Sequence, residues 1–291
     1  MVRTILITGC SDGGLGAALA VAFHRQGDRV LATARNPKKM TSLKSLGIET
    51  LSLDVLSAES VKVCVAEVSA LTGGSLDILI NNAGSGYSVP MVEAEISEVE
   101  KLFDLNVWSI IRTTRHFVPL LRNSKTGALL VNNTSGNSIM PMPFQGPYNA
   151  SKAAAAMVTQ NLRLELQAFG IKVIDLKTGA VKSHFHENST TRVNPVLPEN
   201  SLYTPAKEKM ESIFRGEINI NLMPAEEYAK RVVNDLSKDN PPLIIWRGDS
   251  ATKAWLASFA PLGFTDGLLK KISGLDVVEQ ILKAKVGKKI E

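Results

Sequence analysis

The chain has 291 residues, of which 44% are hydrophobic and 21% charged, and its formal net charge is +5. This composition is typical of a soluble globular protein with a well-filled core, and the charge is too small to indicate a nucleic-acid partner. Apolar runs stay below the roughly 18 residues of a membrane span, the N-terminus does not resemble a signal peptide, and two cysteines, Cys10 and Cys64, make no disulfide framework, so we expect a cytoplasmic protein.

Short apolar runs alternate with segments of helical spacing over the first 250 residues. Strands are predicted at residues 2–8, 28–34, 48–54, 76–81, 127–134, 170–177 and 243–246. Helices are predicted at residues 15–26, 38–46, 57–71, 99–121, from Tyr148 through 165, at 204–214 and from Pro224 onward. Near-continuous apolar strands that alternate with helices indicate an α/β fold, with a parallel sheet covered on both faces.

This regular alternation stops after Gly179. Residues 182–223 hold two histidines, several Asn and Pro residues and one predicted helix, and we expect them to form a lid over a site. The tail, residues 251–291, is amphipathic. Its apolar side chains are Trp255, Leu256, Phe259, Leu262, Phe264, Leu268, Leu269 and Ile272, interspersed with lysines. We favour packing of the tail on the core over a subunit interface or peripheral contact with a membrane surface.

The first strand and first helix are joined by a glycine-rich turn, Thr8-Gly9-Cys10-Ser11-Asp12-Gly13-Gly14-Leu15-Gly16. Glycines at such a turn let the backbone approach a pyrophosphate, and the helix N-terminus offers free N–H groups and the positive end of a dipole. A tight turn without a ligand is the alternative. The position of the glycine-rich turn between a strand and a helix of an α/β chain favours a dinucleotide site over that alternative.

Arg35 lies just past the second strand, where the adenosine ribose of a dinucleotide is expected. NAD-binding chains usually have an acidic residue there, which accepts from the 2′-hydroxyl. Here residues 34–39, Ala-Arg-Asn-Pro-Lys-Lys, are basic and contain no carboxylate. A guanidinium holds a 2′-phosphate well, so we expect NADPH rather than NADH. A solvated basic turn is the alternative.

Three further polar positions lie at or near strand ends. Asp54, which precedes Val55 at the tip of the third strand, is expected to accept from an adenine amine. Residues 81–84, Asn-Asn-Ala-Gly, end the fourth strand with small residues and amides, although as composition alone they indicate only a turn. Asn106 lies inside an apolar helix, where its side chain either satisfies a local backbone group or holds a water for a proton relay.

Tyr148 and Lys152 lie four positions apart on a predicted helix, and therefore on one helical face. An ammonium beside a phenol favours the phenolate and lowers the tyrosine pKa, so that the phenol can exchange a proton with a substrate oxygen. Ser135 ends the preceding strand and offers a second hydroxyl to that oxygen. The alternative is an ordinary surface helix with a buried tyrosine.

Other chemistries find little support in the sequence. His184 and His186 alternate, but His24 and His116 are distant in the sequence and no cysteine is near, so we expect no metal. No Gly-x-Ser-x-Gly elbow occurs, so nucleophilic hydrolysis has no support either.

Taken together, residues 2–248 resemble the short-chain dehydrogenase/reductase family. The motifs that carry the resemblance, in order, are residues 8–16, residues 81–84, Asn106, Ser135 and the Tyr148-x-x-x-Lys152 pair. The resemblance implies a Rossmann-type doubly wound sheet of about seven strands, and hydride transfer between a nicotinamide and a carbonyl or alcohol. It implies that Tyr148 is the acid/base and that Lys152 lowers its pKa and holds the nicotinamide ribose. Ser135 would orient the carbonyl, and Asn106 would maintain a water relay.

The resemblance also implies the cofactor-binding set. Its members are Gly9, Ser11, Asp12, Gly14, Leu15, Arg35, Asp54, Val55, Asn82, Ala83, Gly84, Tyr148, Lys152, Val181 and Ser183. Two departures from the family pattern stand out. The glycine turn is one residue longer than usual, which leaves open whether Gly13 or Gly14 takes the middle role. Residues 178–183, Thr-Gly-Ala-Val-Lys-Ser, replace the usual Pro-Gly, with Val181 near the nicotinamide amide.

Three segments look most similar to the fungal 1-acyldihydroxyacetone-phosphate reductase-like branch of the family: residues 8–14, Thr-Gly-Cys-Ser-Asp-Gly-Gly, residues 32–35, Ala-Thr-Ala-Arg, and Trp246-Arg247-Gly248. We therefore expect a single dinucleotide-binding domain over residues 1–250, residues 182–223 as its substrate lid, and an amphipathic extension over residues 251–291. We expect NADPH-dependent reduction of a fairly apolar ketone or aldehyde, approached past residues 140–144 and Phe185, by a homo-oligomer. Alcohol oxidation with NADP⁺ and a non-catalytic sensor or scaffold remain the alternatives.

Overall fold

The computed structural model describes residues 2–185, 196–215, 217 and 221–287. Its strands are β1 (Thr4–Thr8), β2 (Arg29–Ala34), β3 (Glu49–Ser52), β4 (Ile78–Asn81), β5 (Ala128–Asn133), β6 (Ile171–Thr178), β7 (Val181–Lys182), β8 (Met223–Pro224) and β9 (Ile244–Arg247). All but β7 and β8 form one parallel sheet in the order β3-β2-β1-β4-β5-β6-β9, which confirms the predicted seven-stranded doubly wound sheet. The strand order reverses between β1 and β4, and ligands bind at such a switch point, beyond the carboxyl ends of the strands.

Helices cover both faces of this sheet. They are α1 (Leu15–Arg25), α2 (Thr41–Ser45), α3 (Ala58–Thr72), α4 (Ile96–Phe103), α5 (Ser109–Arg122), α6 (Gly146–Leu166), α7 (Lys207–Phe214), α8 (Ala225–Leu236), α9 (Ala251–Ala257), α10 (Asp266–Ser273) and α11 (Leu275–Gly287). One apolar core packs α1 and α8 on the sheet, and the other packs α3, α5 and α6 on the opposite face. Burial on both faces explains why the strands are apolar at nearly every position.

Local signals set several helix ends as the sequence indicates. Gly27, at φ +91°, follows α1, and a positive φ of this kind is the usual reason for glycine just past a helix. Ser57 caps α3 by accepting from Ser60 N at 3.1 Å. Pro224 directly precedes α8, where its missing N–H costs no helical hydrogen bond.

The single helix predicted over residues 38–46 is wrong. A short 3₁₀ turn, Pro37–Lys39, is followed by a break at Met40, and α2 begins only at Thr41. Met40 is fully buried, and its φ of −123° lies outside the helical region. Burial of this side chain in the core therefore overrides the local helical preference.

The predicted helix over residues 99–121 is interrupted as well. It begins earlier, at Ile96, and contains a π turn over Asp104–Trp108 between α4 and α5. Such turns occur as short bulges within helices, frequently at functional sites. Pro119 lies inside α5, within its last turn.

The two ends of the predicted lid meet in a small parallel sheet. Strand β7 pairs with β8, with Val181 opposite Met223 and Lys182 opposite Pro224. Residues 186–195, 216 and 218–220 of the lid, and thus His186, lie outside the described residues. The described part packs as an apolar cluster that joins the lid to α11. Its buried members are Phe144, Leu197, Ala206, Met210, Ile213, Phe214 and Val278.

The predicted packing of the tail on the core holds for only part of it. Leu269 and Val278 are buried. A second group of apolar side chains faces outward, namely Trp255, Leu256, Phe259, Leu262, Phe264 and Leu268. Within the described ranges, no helix is long and apolar enough to cross a bilayer.

Candidate active site

The glycine-rich turn has the backbone geometry that its composition indicates. Gly9 and Gly13 have φ values of +74° and +76°, a region that residues with a Cβ rarely adopt. A Cβ on Gly9 would lie 2.9 Å from Ala83 Cα. Gly14 has an extended conformation and is the N-cap of α1. The structure therefore assigns Gly13 to the bend of the turn and Gly14 to the start of the helix.

Gly16 keeps α1 close to β1 and β4. A Cβ at this position would lie 2.6 Å from Gly9 O and 2.7 Å from Asn82 Nδ2. We therefore expect Gly16→Ala to lower the melting temperature by several degrees, because overpacking costs roughly 1–3 kcal/mol. Gly267→Ala is the control, since that helical glycine has open space around it. Equal melting temperatures for the two variants in calorimetry would contradict this assignment.

Hydrogen bonds join the carboxyl ends of β1, β4 and β5 beside the glycine turn. Thr8 Oγ1 accepts from the backbone N–H groups of Asn82 (2.9 Å) and Ala83 (3.0 Å). Asn82 Nδ2 donates to Thr8 O at 2.9 Å, and Asn133 Nδ2 donates to Asn82 Oδ1 at 2.9 Å. The predicted residues Asn82 and Ala83 therefore lie against the turn, held by a network that spans three strands.

Asp12 links the turn to α2, which sequence reasoning did not foresee. Its carboxylate accepts from Ser42 Oγ, and from Thr41 Oγ1 at 3.1 Å, and its N–H donates to Lys39 O at 2.7 Å. Burial raises the Asp12 pKa, but the hydrogen bonds from Ser42 and Thr41 outweigh it and hold the pKa below its usual range. Asp12 thus holds residues 39–42, which follow Arg35 in the chain. The Arg35 side chain itself is exposed.

The other predicted cofactor residues of the first half lie at the same edge of the sheet. Asp54 Oδ1 accepts from Leu56 N at 3.1 Å, which shapes the turn after β3. Val55 is buried, and its carbonyl accepts from Arg112 Nη1 at 2.9 Å. Ser11 and Leu15 are partly buried within the glycine turn and the first turn of α1.

Ser135 and Tyr148 are in hydrogen-bond contact. Ser135 follows β5 and begins a 3₁₀ turn, where its Oγ accepts from Asn137 N at 3.1 Å. Burial raises the pKa of the Tyr148 phenol, and the hydrogen bond with Ser135 lowers it only in part. The phenol therefore keeps its proton at neutral pH.

Lys152 is buried beside this pair. Its Nζ lies 5.9 Å from the centre of the Tyr148 ring and donates to Asn133 O at 2.9 Å. Burial lowers the Lys152 pKa to about 8, against the opposing charge of Asp175. The expectation of a phenol pKa below its usual value is therefore wrong for this structure, because burial raises it. The ammonium is itself desolvated, and burial dominates the titration of both groups.

Asn106 lies in the π turn with its side chain fully engaged by nearby groups. Its Nδ2 donates to Ser85 O (2.9 Å) and Ser151 Oγ (3.0 Å), and its Oδ1 accepts from Ser85 N at 3.0 Å. Of the two roles considered for Asn106, these contacts favour the one in which its side chain satisfies local backbone groups, here those of Ser85. A Cβ at Gly84 would lie 3.1 Å from Asn106 Oδ1 and 3.5 Å from Lys152 Nζ, so this glycine brings the loop close to both.

The start of the lid crosses from the glycine turn to Tyr148. His184 N donates to Gly13 O at 3.1 Å, and its ring occupies the space that a Cβ on Gly13 would need. The Phe185 ring lies 5.8 Å from that of Tyr148. Just before them, Val181 lies in β7, and Ser183 Oγ accepts from Phe185 N at 3.4 Å. Among the described residues, no three His, Cys, Asp or Glu side chains are grouped to hold a metal.

Phe144 does not line an open approach to Tyr148, contrary to expectation. It is 7% exposed and packs edge-on against Tyr203, with ring centres 5.9 Å apart. Its φ of +63° is unusual for a bulky residue, and such strain persists only where the surrounding packing enforces it. Phe144 therefore packs in the apolar cluster that joins the lid to α11, here called the lid cluster, and does not line an approach for the substrate.

Comparisons with known proteins agree with this arrangement. Residues 3–194 match the family model of the short chain dehydrogenases. The chain is 47% identical to a short-chain dehydrogenase/reductase of Pestalotiopsis microspora over 279 residues, 96% of each protein. It is 37% identical to the NADPH-dependent 1-acyldihydroxyacetone phosphate reductase of Schizosaccharomyces pombe over 260 residues, 89% of this chain and 82% of the relative.

A solved structure has the same fold. The crystal structure of a short-chain dehydrogenase from Streptomyces avermitilis superposes with a TM-score of 0.74 at 25% identity, covering 96% of this chain and 98% of that one. The range that matches the family model, residues 3–194, spans the glycine turn, Ser135, Tyr148 and Lys152. The chain therefore belongs to the short-chain dehydrogenase/reductase family, whose members are oxidoreductases that use nicotinamide cofactors.

Proposed function

We propose that this protein is an NADP(H)-dependent oxidoreductase that reduces a ketone or aldehyde of a fairly apolar substrate to an alcohol. The observation that carries the proposal is the contact between the Tyr148 phenol and Ser135, with the buried Lys152 beside them. His184 and Phe185 connect this group to the glycine turn, so a ligand between the two would contact both. Two hydroxyls and a cation around one point suit a carbonyl oxygen that gains negative charge.

The glycine turn fits a dinucleotide. Gly14 offers no side-chain cap to α1, which leaves the N–H groups of the first helical turn to an anion such as a pyrophosphate. Gly9 and Gly13 have no side chains, so at these two positions no Cβ lies between the backbone and a ligand. The nicotinamide end of a dinucleotide bound at this turn would supply a hydride, and the chain would supply the positioning and the proton.

Tyr148 acts as the proton donor in this proposal. Its raised pKa keeps Oη protonated at neutral pH, and a protonated phenol is the form that reduction requires. Ser135 Oγ donates a second hydrogen bond to the same substrate oxygen, and the Lys152 cation stabilises the phenolate that remains. Alcohol oxidation would instead need the phenolate at the outset.

The preference for NADPH rests on the basic segment after β2. Arg35, Lys38 and Lys39 are all exposed there, and the relative from Schizosaccharomyces pombe is named as NADPH-dependent. We expect Arg35→Ser to raise the KM for NADPH about tenfold to a hundredfold, the worth of a hydrogen bond to a charged group. The KM for NADH should change little. Arg231→Ser, a surface change on α8, is the control, and an equal effect of Arg35→Ser on both cofactors would refute the assignment.

The lid and the apolar substrate belong to the same proposal. Phe185 stands against the Tyr148 ring, and the described part of the lid is anchored by the apolar cluster around Phe144. We propose that residues 182–223 cover the substrate within a single domain of residues 1–250.

The outward-facing apolar side chains of residues 255–268 support a homo-oligomeric contact or a peripheral lipid contact of the C-terminal extension, residues 251–291.

The experiment that tests the function follows NADPH oxidation with a panel of apolar ketones and aldehydes, and NADP⁺ reduction with the matching alcohols. Turnover with the carbonyl compounds is the expected result. Faster turnover with the alcohols at neutral pH would support the oxidative alternative instead. Tight NADPH binding without turnover on any compound would support the sensor alternative.

A further inference from the structure

A buried ion pair lies on β6 next to the Ser135 turn. Asp175 and Lys177 are 1% and 5% exposed, and Asp175 Oδ2 lies 2.9 Å from Lys177 Nζ. The two residues alternate on the strand, so their side chains lie on one face of the sheet. Burying two charges costs about as much free energy as their attraction returns, so stability alone does not account for the pair.

Each charge binds one of the residues that flank Ser135. Thr134 Oγ1 donates to Asp175 Oδ1, and Lys177 Nζ donates to Ser138 Oγ at 2.8 Å. Ser138 ends the 3₁₀ turn that follows Ser135, and its N–H donates to Ser135 O at 3.0 Å. The ion pair therefore holds the chain on both sides of the hydroxyl that contacts Tyr148.

The same pair is itself fixed by its surroundings. The Lys177 ammonium lies 5.6 Å from the centre of the Trp246 ring, on the neighbouring strand β9. Asp175 is also the charged group that acts on the buried Lys152, which lies beside the Tyr148 ring and donates to the Asn133 carbonyl. Both the turn and the cation beside Tyr148 thus depend on one buried carboxylate.

We propose that Asp175 and Lys177 are positioning residues, which hold Ser135 in place against Tyr148 for the carbonyl reduction proposed above. The inference rests on that proposed function for its effect on turnover, but its geometric part stands apart from it. A buried hydroxyl is catalytically useful only in a narrow range of positions, and two hydrogen bonds outside the turn supply that constraint.

The least disruptive test removes the two hydrogen bonds and keeps the ion pair. The double variant Thr134→Val and Ser138→Ala deletes only the two hydroxyls that Asp175 and Lys177 bind. We expect kcat to fall about tenfold to a hundredfold, the effect of a small displacement of a catalytic group. The Kd for NADPH should stay unchanged. A merely structural role would lower the melting temperature and leave kcat as it is.

A charge variant and its matched control complete the design. Asp175→Asn removes the carboxylate that supports the Lys152 cation, so the loss of activity at alkaline pH should begin at lower pH. Asp235 on α8 is a comparably buried carboxylate, paired with Lys238 at 2.7 Å and with Arg247, outside the site. Asp235→Asn should cost similar stability without moving the pH profile.

Ionisation of Tyr148 gives a readout that does not need turnover. Phenolate absorbance is titrated with pH in the wild-type protein and in the double variant, each compared with its Tyr148→Phe form. Because the Ser135 contact lowers the phenol pKa, the double variant should titrate at higher pH. An unchanged titration would overturn the positioning role. Absence of turnover in the wild-type protein would overturn the proposed reaction, and the titration would still decide the positioning role.

Discussion

Replacement of Tyr148 by Phe is expected to lower kcat about 10²- to 10⁴-fold, the usual contribution of a positioned general acid. The change removes one oxygen and keeps the ring, so the contact with Phe185 at 5.8 Å should persist. The Kd for NADPH should stay within about twofold of wild type, because the phenol donates to the substrate oxygen in the reaction. The measurement is steady-state NADPH oxidation with the best carbonyl substrate.

Tyr203→Phe is the matched control for this result. Tyr203 belongs to the lid cluster, edge-on to Phe144, so the same atom is removed outside the site. Its kcat should remain close to wild type. An equal loss of kcat in the two variants would show that the phenolic oxygen of Tyr148 has no special role, and retained turnover in Tyr148→Phe would exclude it as the acid.

Replacement of Lys152 by Met should lower kcat about a hundredfold or more at neutral pH, since a buried cation beside a developing phenolate is worth several kcal/mol. In the wild-type protein the Lys152 pKa is lowered to about 8 by burial, so the cation is lost as pH rises through that value. We therefore expect wild-type activity to decline above a pH of about 8 for this reason. The variant should lack that decline.

The same substitution should leave the fold intact or stabilise it at neutral pH. The Lys152 pKa falls from 10.5 in an unstructured chain to about 8 in the folded one, so between those values only the unfolded chain holds the proton. The free energy of unfolding contributed by this group therefore rises with pH through that window, and below it the buried cation is a cost. Lys62→Met, an exposed change on α3, is the control. A variant with full activity, or one with the same alkaline decline, would contradict the role.

Most of the fold follows from local patterns in the sequence. Apolar runs that alternate with helical spacing predict the seven parallel strands, because both faces of such a sheet are buried. The four-residue spacing of Tyr148 and Lys152 puts them on one face of α6, and Ser135 ends the strand before it. These features need no knowledge of distant contacts.

Other features depend on partners far apart in the chain. The break at Met40 reflects burial of that side chain in the core, and the start of α2 is bound by Asp12 from the glycine turn. The spacing of Tyr148 and Lys152 predicts a lowered phenol pKa, whereas burial in the folded chain raises it. The spacing shows the neighbouring lysine but does not show how deeply both groups are buried. Burial is a property of the assembled fold.

The positioning pair could have been noticed in the sequence. Asp175 and Lys177 are charged residues at alternate positions in the second half of β6, and charged residues are seldom buried without a specific partner. What the sequence does not give is the identity of those partners, Thr134 and Ser138, which come from the turn after β5. The contact of His184 N with Gly13 O could not be predicted for the same reason, because the two residues are far apart in the sequence and meet only in the folded chain.

The central claim is that Tyr148, Ser135 and Lys152 act on a carbonyl oxygen beside a reduced nicotinamide. The most direct measurement incubates the protein with an apolar ketone and NADPH that carries deuterium at the transferable position of its nicotinamide ring, and follows the label by mass spectrometry. The account predicts deuterium on the new alcohol carbon in wild type, and little product with Tyr148→Phe. Product without the label, or labelled product formed equally well by Tyr148→Phe, would contradict it.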